Sequence, residues 1–154
     1  MTRRLACSLV AAVAIGCMGT SGPTVSPHVS AAQQSSASAS MGLSFPPETR
    51  FLLYHRASEK PGLVPAPDDV IHLKIELPPA AAATFLAARP FVDAKWDSRA
   101  RLISDVPEWR EWQPSAVKKS RSSQIALPKG EALNVLVDED RPDKTIVYLV
   151  WFET

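Results

Sequence analysis

Apolar and polar side chains alternate most regularly along residues 70–77. Every second residue there is aliphatic, and most of the residues between are polar or charged; the aliphatic ones are Ile71, Leu73, Ile75 and Leu77. A period of two residues is typical of a strand with one face in a core and the other toward solvent. Pro78 and Pro79 follow, and proline suits the first turn of a helix. The pattern therefore predicts a strand over 70–77 and then a helix over 80–88, which Pro90 ends.

Four further segments have the composition of strands. They are 50–56, the weak short segment 124–127, and the stronger pair 132–137 and 145–152. The polar residues 138–144 between the last two predict a hairpin turn. The last strand carries apolar residues on both faces. We therefore expect a central strand that is covered on both sides, or a strand whose second face is capped by the tryptophan-containing segment.

Sequential strands with short connections favour antiparallel pairing. The elements therefore predict an α+β domain over residues 45–154, in which one main helix packs on a small antiparallel sheet of four to five strands. Residues 91–123 are the least regular part of this range. Within them, Asp105 is expected to cap a short helix that has Pro107 in its first turn and reaches Trp112.

The first 16 residues have the order of an export signal. Arg3 and Arg4 are followed by the apolar run Leu5–Ile15, which only Ser8 interrupts, and no further charged residue occurs before Glu48. A basic start, an apolar run and then small residues are typical of a signal peptide. The apolar run has 11 residues, and a helix that spans a bilayer needs about 20. The run is therefore too short for a permanent transmembrane helix.

The segment Val13-Ala14-Ile15-Gly16-Cys17 resembles the lipobox of bacterial lipoproteins. The resemblance covers the leader and the small-residue segment after it, and it implies cleavage after residue 16 and lipidation of Cys17. It also implies two or three acyl chains, and two are enough for stable membrane anchoring. Two alternatives remain: cleavage near residues 19–21, which would release a soluble secreted protein, or an uncleaved anchor.

Residues 17–44 consist mainly of Ser, Ala, Gly, Thr, Pro and Gln. Such a segment buries too little apolar surface to offset the entropy of ordering, so it is expected to be a disordered tether. A flexible tether of about 27 residues has a typical span near 30 Å. The expected organisation is thus a signal peptide over 1–16, a lipidated tether over 17–44, and one domain over 45–154.

Charge and cysteine content exclude several classes of function. Loss of Arg3 and Arg4 with the leader leaves 15 basic residues against 16 acidic ones, a net charge of −1. Nucleic-acid binding needs a clustered positive excess, so nucleic acid is not an expected partner. The two cysteines are Cys7 and Cys17, and cleavage between them would leave the domain without a disulfide, a thiolate nucleophile or a thiolate metal site. No cofactor is predicted.

Three tryptophans are the candidate binding residues: Trp96, Trp109 and Trp112. The spacing of three residues between Trp109 and Trp112 would place them on one face of a helix. Two interpretations remain open for the group. The tryptophans either plug the irregular segment onto the sheet, or they form an exposed aromatic platform for a glycan or a partner protein.

His55 and His72 are the candidates for metal or acid–base chemistry, because a neutral imidazole can ligate a metal or accept a proton near pH 7. His72 lies on the polar face of its strand, whereas His55 is expected to share a face with Phe51 and Leu53. A metal site would need a third ligand from the nearby carboxylates. No phosphate loop, Gly-x-Ser-x-Gly or His-Glu-x-x-His motif is present, so no catalytic or metal residue is predicted.

These patterns predict an exported envelope protein that is held to the membrane through lipid on Cys17. Its domain is expected to be non-catalytic and to bind an envelope protein or glycan. The alternative is a small secreted hydrolase or metal-dependent enzyme that uses His55 and His72.

Overall fold

A computed structural model describes residues 29–57 and 69–153. The expected signal peptide, Cys17 and the first part of the expected tether therefore lie outside the described residues. Within the described ranges the chain forms two α-helices and five β-strands. Their bounds are α1 Ala31–Met41, β1 Arg50–Ala57, β2 Val70–Leu77, α2 Pro79–Ala87, β3 Ser120–Leu127, β4 Glu131–Asp138 and β5 Thr145–Glu153. Short 3-10 turns lie at Phe91–Asp93, Pro114–Ala116 and Pro128–Gly130.

The five strands form one antiparallel sheet in the order β1-β2-β5-β4-β3. The α+β fold with a small antiparallel sheet is therefore confirmed. Strand β5 is the central strand of the sheet, as the apolar residues on both of its faces predicted. The polar residues 138–144 connect β4 to β5 as a hairpin.

Both faces of the sheet are buried, each under a different kind of cover. One face, here the helical face, carries Leu73, Val135 and Leu149 and packs against α1 and α2. The other, here the aromatic face, carries Leu53 and Leu136 together with other side chains of the sheet. Its cover is the irregular segment, residues 97–119, which contributes Ile103, Trp109, Trp112 and Val117 to the buried cluster. The irregular segment, which contains Trp109 and Trp112, thus caps the second face of β5.

The short helix expected from Asp105 to Trp112 is not formed, and this prediction was wrong. Residues 107–111 are turns, with hydrogen bonds from Trp109 N to Val106 O and from Trp112 N to Trp109 O, both 2.9 Å long. The Asp105 carboxylate accepts from Ser115 N at 2.9 Å instead of capping a helix. That bond closes a loop, and the loop directs both tryptophans toward the sheet.

Helix α1 lies inside the segment that composition assigned to the tether. A reciprocal capping box starts the helix: Gln33 N donates to Ser30 Oγ at 3.3 Å, and Ser30 N donates to Gln33 Oε1 at 2.8 Å. Gly42 ends it in the left-handed conformation that glycine adopts without strain. The buried side chains of α1 are Ala37 and Met41. The tether expected over 17–44 is therefore corrected, because residues 31–41 pack on the domain.

Composition misses this helix because its contact residues are small. Ala37 has no accessible surface, so the helix backbone approaches the sheet closely at that point. The Ser36 hydroxyl also meets the sheet, since it accepts from the Tyr54 hydroxyl at 3.2 Å. In the part of the chain that the structure describes, no helix is both long enough and apolar enough to cross a membrane.

We expect Ala37→Asp to lower the free energy of unfolding by about 2 kcal/mol or more, because it buries a carboxylate with no partner. Ala39 is exposed on the same helix, so the matched control Ala39→Asp should cost less than about 1 kcal/mol. Urea unfolding of the two variants measures the difference. Equal losses would contradict the packing of α1 on the domain.

Candidate functional site

A β-bulge decides which side chains of β1 reach the aromatic face. Phe51 pairs with Ile75 and Leu53 with Lys74, so Leu52 is an extra residue without a partner. A bulge of one residue reverses the facing of the residues after it. His55 therefore shares a face with Leu53 but not with Phe51, which corrects the facing expected from simple alternation.

The same register makes His55 and His72 direct cross-strand neighbours. Their ring centres are 6.4 Å apart, and both rings contact Trp109, at 4.2 Å for His55 and 5.0 Å for His72. His72 also meets the edge of Trp112 at 5.2 Å. The Nδ1 atoms of both histidines are buried and have no hydrogen-bond partner in the described residues. The imidazoles thus pack as members of an aromatic cluster.

Burial, and after it the charge of nearby His55, lowers the pKa of His72 to about 4. Burial also lowers the pKa of His55. Both rings are therefore neutral at pH 7, which is the form that ligates metals. Among the described residues, however, no group of three or more His, Cys, Asp or Glu side chains could hold a metal ion.

Trp109 and Trp112 are 6% and 0% exposed. The Trp112 indole donates from Nε1 to Ser104 O at 3.0 Å and meets the Tyr148 ring edge-on at 5.3 Å. These two tryptophans are therefore the plug between the irregular segment and the sheet. The expectation of an exposed platform is not met by either of them.

Trp96 lies apart from the other two tryptophans. It is half-buried against the cluster on the helical face, and the Arg121 guanidinium lies over its ring at 4.8 Å. The structure thus brings Trp109 and Trp112 together and separates Trp96 from them.

A hollow of about 620 Å³ opens beside the tryptophan plug. We call it the Lys74 hollow. Its lining comes from β1, β2, β5, the irregular segment and the β4–β5 turn. Among the residues that line it are Leu52, Lys74, Arg110, Val117, Arg141 and Tyr148.

Lys74 is half-buried in this hollow. Its Nζ lies 4.9 Å from the centre of the Tyr148 ring and donates to the backbone carbonyl of Glu111. Burial lowers the pKa of Lys74, and Arg141 adds to the lowering, whereas Asp138 and Glu111 oppose it. Within the described residues Lys74 forms no ion pair with a carboxylate.

Tyr148 supplies a hydroxyl that stays protonated. Burial, and after it the charge of Asp138, raises the pKa of Tyr148 to about 12. Among the described residues the hydroxyl has no hydrogen-bond partner. It is therefore available as a hydrogen-bond donor at neutral pH.

Two of the acidic side chains around the hollow are engaged by the backbone. The Asp140 carboxylate accepts from Lys118 N at 2.8 Å and Lys119 N at 2.7 Å, and these bonds lower its pKa. Asp138 accepts from Asp140 N at 2.9 Å. The Arg110 and Arg141 guanidinium groups form no ion pair within the described part of the chain.

A second hollow, of about 890 Å³, lies beside the C-terminal end of α1. The opposite charges that line it are equal in number: Arg56, Arg89 and Lys129 against Asp93, Glu131 and Glu153. Arg56 is already held by Asp69, to which its Nε donates at 2.9 Å. This hollow therefore offers fewer unpaired charges than the Lys74 hollow.

Sequence reasoning missed Lys74, Tyr148 and the two arginines. One signal was present in the sequence: the polar face of β2 must lie beside the second apolar face of β5. A lysine on that face is then half-covered by the loop that caps β5. The positions of Arg110 and Arg141 depend on loop geometry, which the sequence pattern does not reveal.

The neutral state of buried His72 predicts a pH-dependent stability. As the pH falls, the imidazole of the unfolded chain binds a proton near its pKa of 6.5, whereas the imidazole of the folded chain binds one only near pH 4. With respect to His72, the free energy of unfolding should therefore stay constant well above pH 6.5 and should fall by roughly 3 kcal/mol as the pH drops through 6.5 to 4. Urea unfolding at several pH values measures this fall. In His72→Gln most of it should disappear, and an unchanged pH profile in that variant would contradict the assignment.

Comparison with known proteins assigns no family to this chain. No family model matches it, and neither the curated proteins nor the solved structures contain a significant match.

Proposed function

We propose that this chain is an exported, lipid-anchored envelope protein whose domain is a non-catalytic binding module. The observation that carries the binding role is the Lys74 hollow. Three cations face it without a carboxylate partner in the described residues: Lys74, Arg110 and Arg141. Unpaired charges that converge on a concave surface are typical of a recognition site.

The stability of the domain does not require these cations to converge. Lys74 fastens the irregular segment through one hydrogen bond to Glu111 O, but Arg110 and Arg141 are exposed and make no such contact in the described residues. Exposed arginines contribute little to folding stability. Their placement around one hollow therefore favours a role in binding.

The export part of the proposal rests on the leader. The basic start, the short apolar run and the lipobox-like residues 13–17 support secretion followed by lipidation of Cys17. The chain from Cys17 to Val29 spans at most about 45 Å even when fully extended. A lipid on Cys17 would therefore hold the folded domain close to the membrane surface.

The lipidation proposal predicts the mature N-terminus. Mass spectrometry of the protein from native membranes should find Cys17 as the first residue, carrying two or three acyl chains. Cys17→Ala should leave the protein unlipidated, and the mature membrane-bound form should be lost. Cys7→Ala is the matched control, because that cysteine lies within the proposed leader, and it should not change the mature product.

Two results would contradict this proposal. One is an unmodified N-terminus at another residue. The other is a full-length product in the cytosol that still carries Met1.

A further inference from the structure

We infer that the Lys74 hollow binds an oxyanion, a carboxylate or a phosphate, on a small molecule that has an apolar body. This inference rests on the proposed binding role and names the class of ligand. It depends on the donors at the floor of the hollow, the charges on its walls and the apolar side chains between them.

The floor has hydrogen-bond donors that the protein leaves unused. A lysine ammonium has three N–H groups, and one of those on Lys74 goes to Glu111 O. The Tyr148 hydroxyl has no partner among the described residues. Lys74 Nζ lies 4.9 Å from the centre of the Tyr148 ring, and both residues line the hollow, so the ammonium and the hydroxyl are donors to the same space.

The walls add charge of the right sign. Arg110 and Arg141 line the hollow and have no ion-pair partner in the part of the chain that the structure describes. A guanidinium presents a planar fork of donors that matches the two oxygens of a carboxylate or phosphate. An oxyanion that reaches the floor would therefore meet cations on both the floor and the walls.

The acidic residues of the hollow equal its unpaired cations in number. Lys74, Arg110 and Arg141 face three carboxylates, Glu111, Asp138 and Asp140, and the fourth cation, Arg50, is paired with Glu76 at 3.3 Å. Asp138 and Asp140 already accept backbone N–H groups. Their negative charge is partly compensated by those dipoles, so a ligand anion experiences a net attraction in the hollow.

The apolar side chains define the rest of the ligand. Leu52 and Val117 line the hollow beside the charged groups. Its volume of about 620 Å³ falls within the range of 300–1,000 Å³ that is common for small-molecule sites. A bare inorganic anion would leave most of this space and apolar surface unfilled. An anion with an aromatic or aliphatic body fits better.

The test is a titration of the full chain carrying Cys17→Ser, which keeps the sample free of lipid. The probes are phenyl phosphate, benzoate, inorganic phosphate and neutral benzamide. Their binding is measured by calorimetry and by changes in amide chemical shifts. We expect phenyl phosphate and benzoate to bind at least ten-fold more tightly than benzamide, and phenyl phosphate more tightly than inorganic phosphate. The largest shifts should fall on residues that line the Lys74 hollow.

Substitutions then locate the site. The double variant Arg110→Gln with Arg141→Gln should weaken phenyl phosphate binding at least ten-fold, and Lys74→Met should do the same. Both arginines are exposed, so the double variant remains folded even if Lys74→Met does not. Arg99→Gln is the control, because Arg99 is exposed and lies outside the hollow; it should leave binding unchanged.

Several outcomes would overturn the inference. They are no binding of either anionic probe at 10 mM, equal binding of benzamide, or equal weakening by Arg99→Gln. Anionic lipid vesicles provide a second arm of the test. Vesicle binding that depends on Arg110 and Arg141 would support the site and identify a lipid headgroup as the source of the oxyanion.

The lipidation experiment uses cells and no ligand, whereas the titration uses unlipidated protein. Failure of export would therefore leave the titration unaffected. Failure of the titration would leave the membrane anchor in place and remove only the ligand class.

Discussion

The central strand β5 carries apolar side chains on both of its faces, and the rest of the structure depends on covering both. Val147 and Leu149 are buried under the helices, while Ile146 and Tyr148 are buried under the irregular segment. Burial of this surface is the main favourable contribution to folding. A helix layer on one face alone would leave the second apolar face of β5 exposed to water.

The two covers differ in how they are fastened. Helices satisfy their own backbone groups, whereas the irregular segment combines isolated turns with hydrogen bonds from side chains. Asn134 Nδ2 donates to Leu102 O at 3.2 Å, and the Arg101 guanidinium donates to Ser115 O and Val117 O at 3.2 and 3.1 Å. A loop fastened at separate points does not cover a sheet completely. The Lys74 hollow lies where this cover is incomplete, next to Trp112.

The sequence predicts those parts of the fold that depend on periodicity. The alternation in β2 and the two apolar faces of β5 locate the sheet, and the proline pair locates α2. It does not predict α1, because an alanine contact such as Ala37 adds no hydrophobic signal. The sequence pattern also does not predict the Lys74 hollow. Arg110, Lys74 and Arg141 come from three separate parts of the chain, and only the loop geometry brings them together.

The bulge at Leu52 has a consequence for changes in chain length. Side chains alternate across a strand, so the unpaired residue Leu52 determines which side of the sheet each later residue of β1 faces, relative to Phe51. Deletion of Leu52 would remove the bulge and leave Tyr54 and His55 on their present sides, because Phe51 and Leu53 would then alternate normally. Insertion or deletion of one residue after the bulge would instead move the rest of the strand to the opposite side of the sheet. Homologous chains should therefore tolerate loss of the bulge residue better than any other change in the length of β1, so the length of the strand beyond the bulge is itself an inherited constraint.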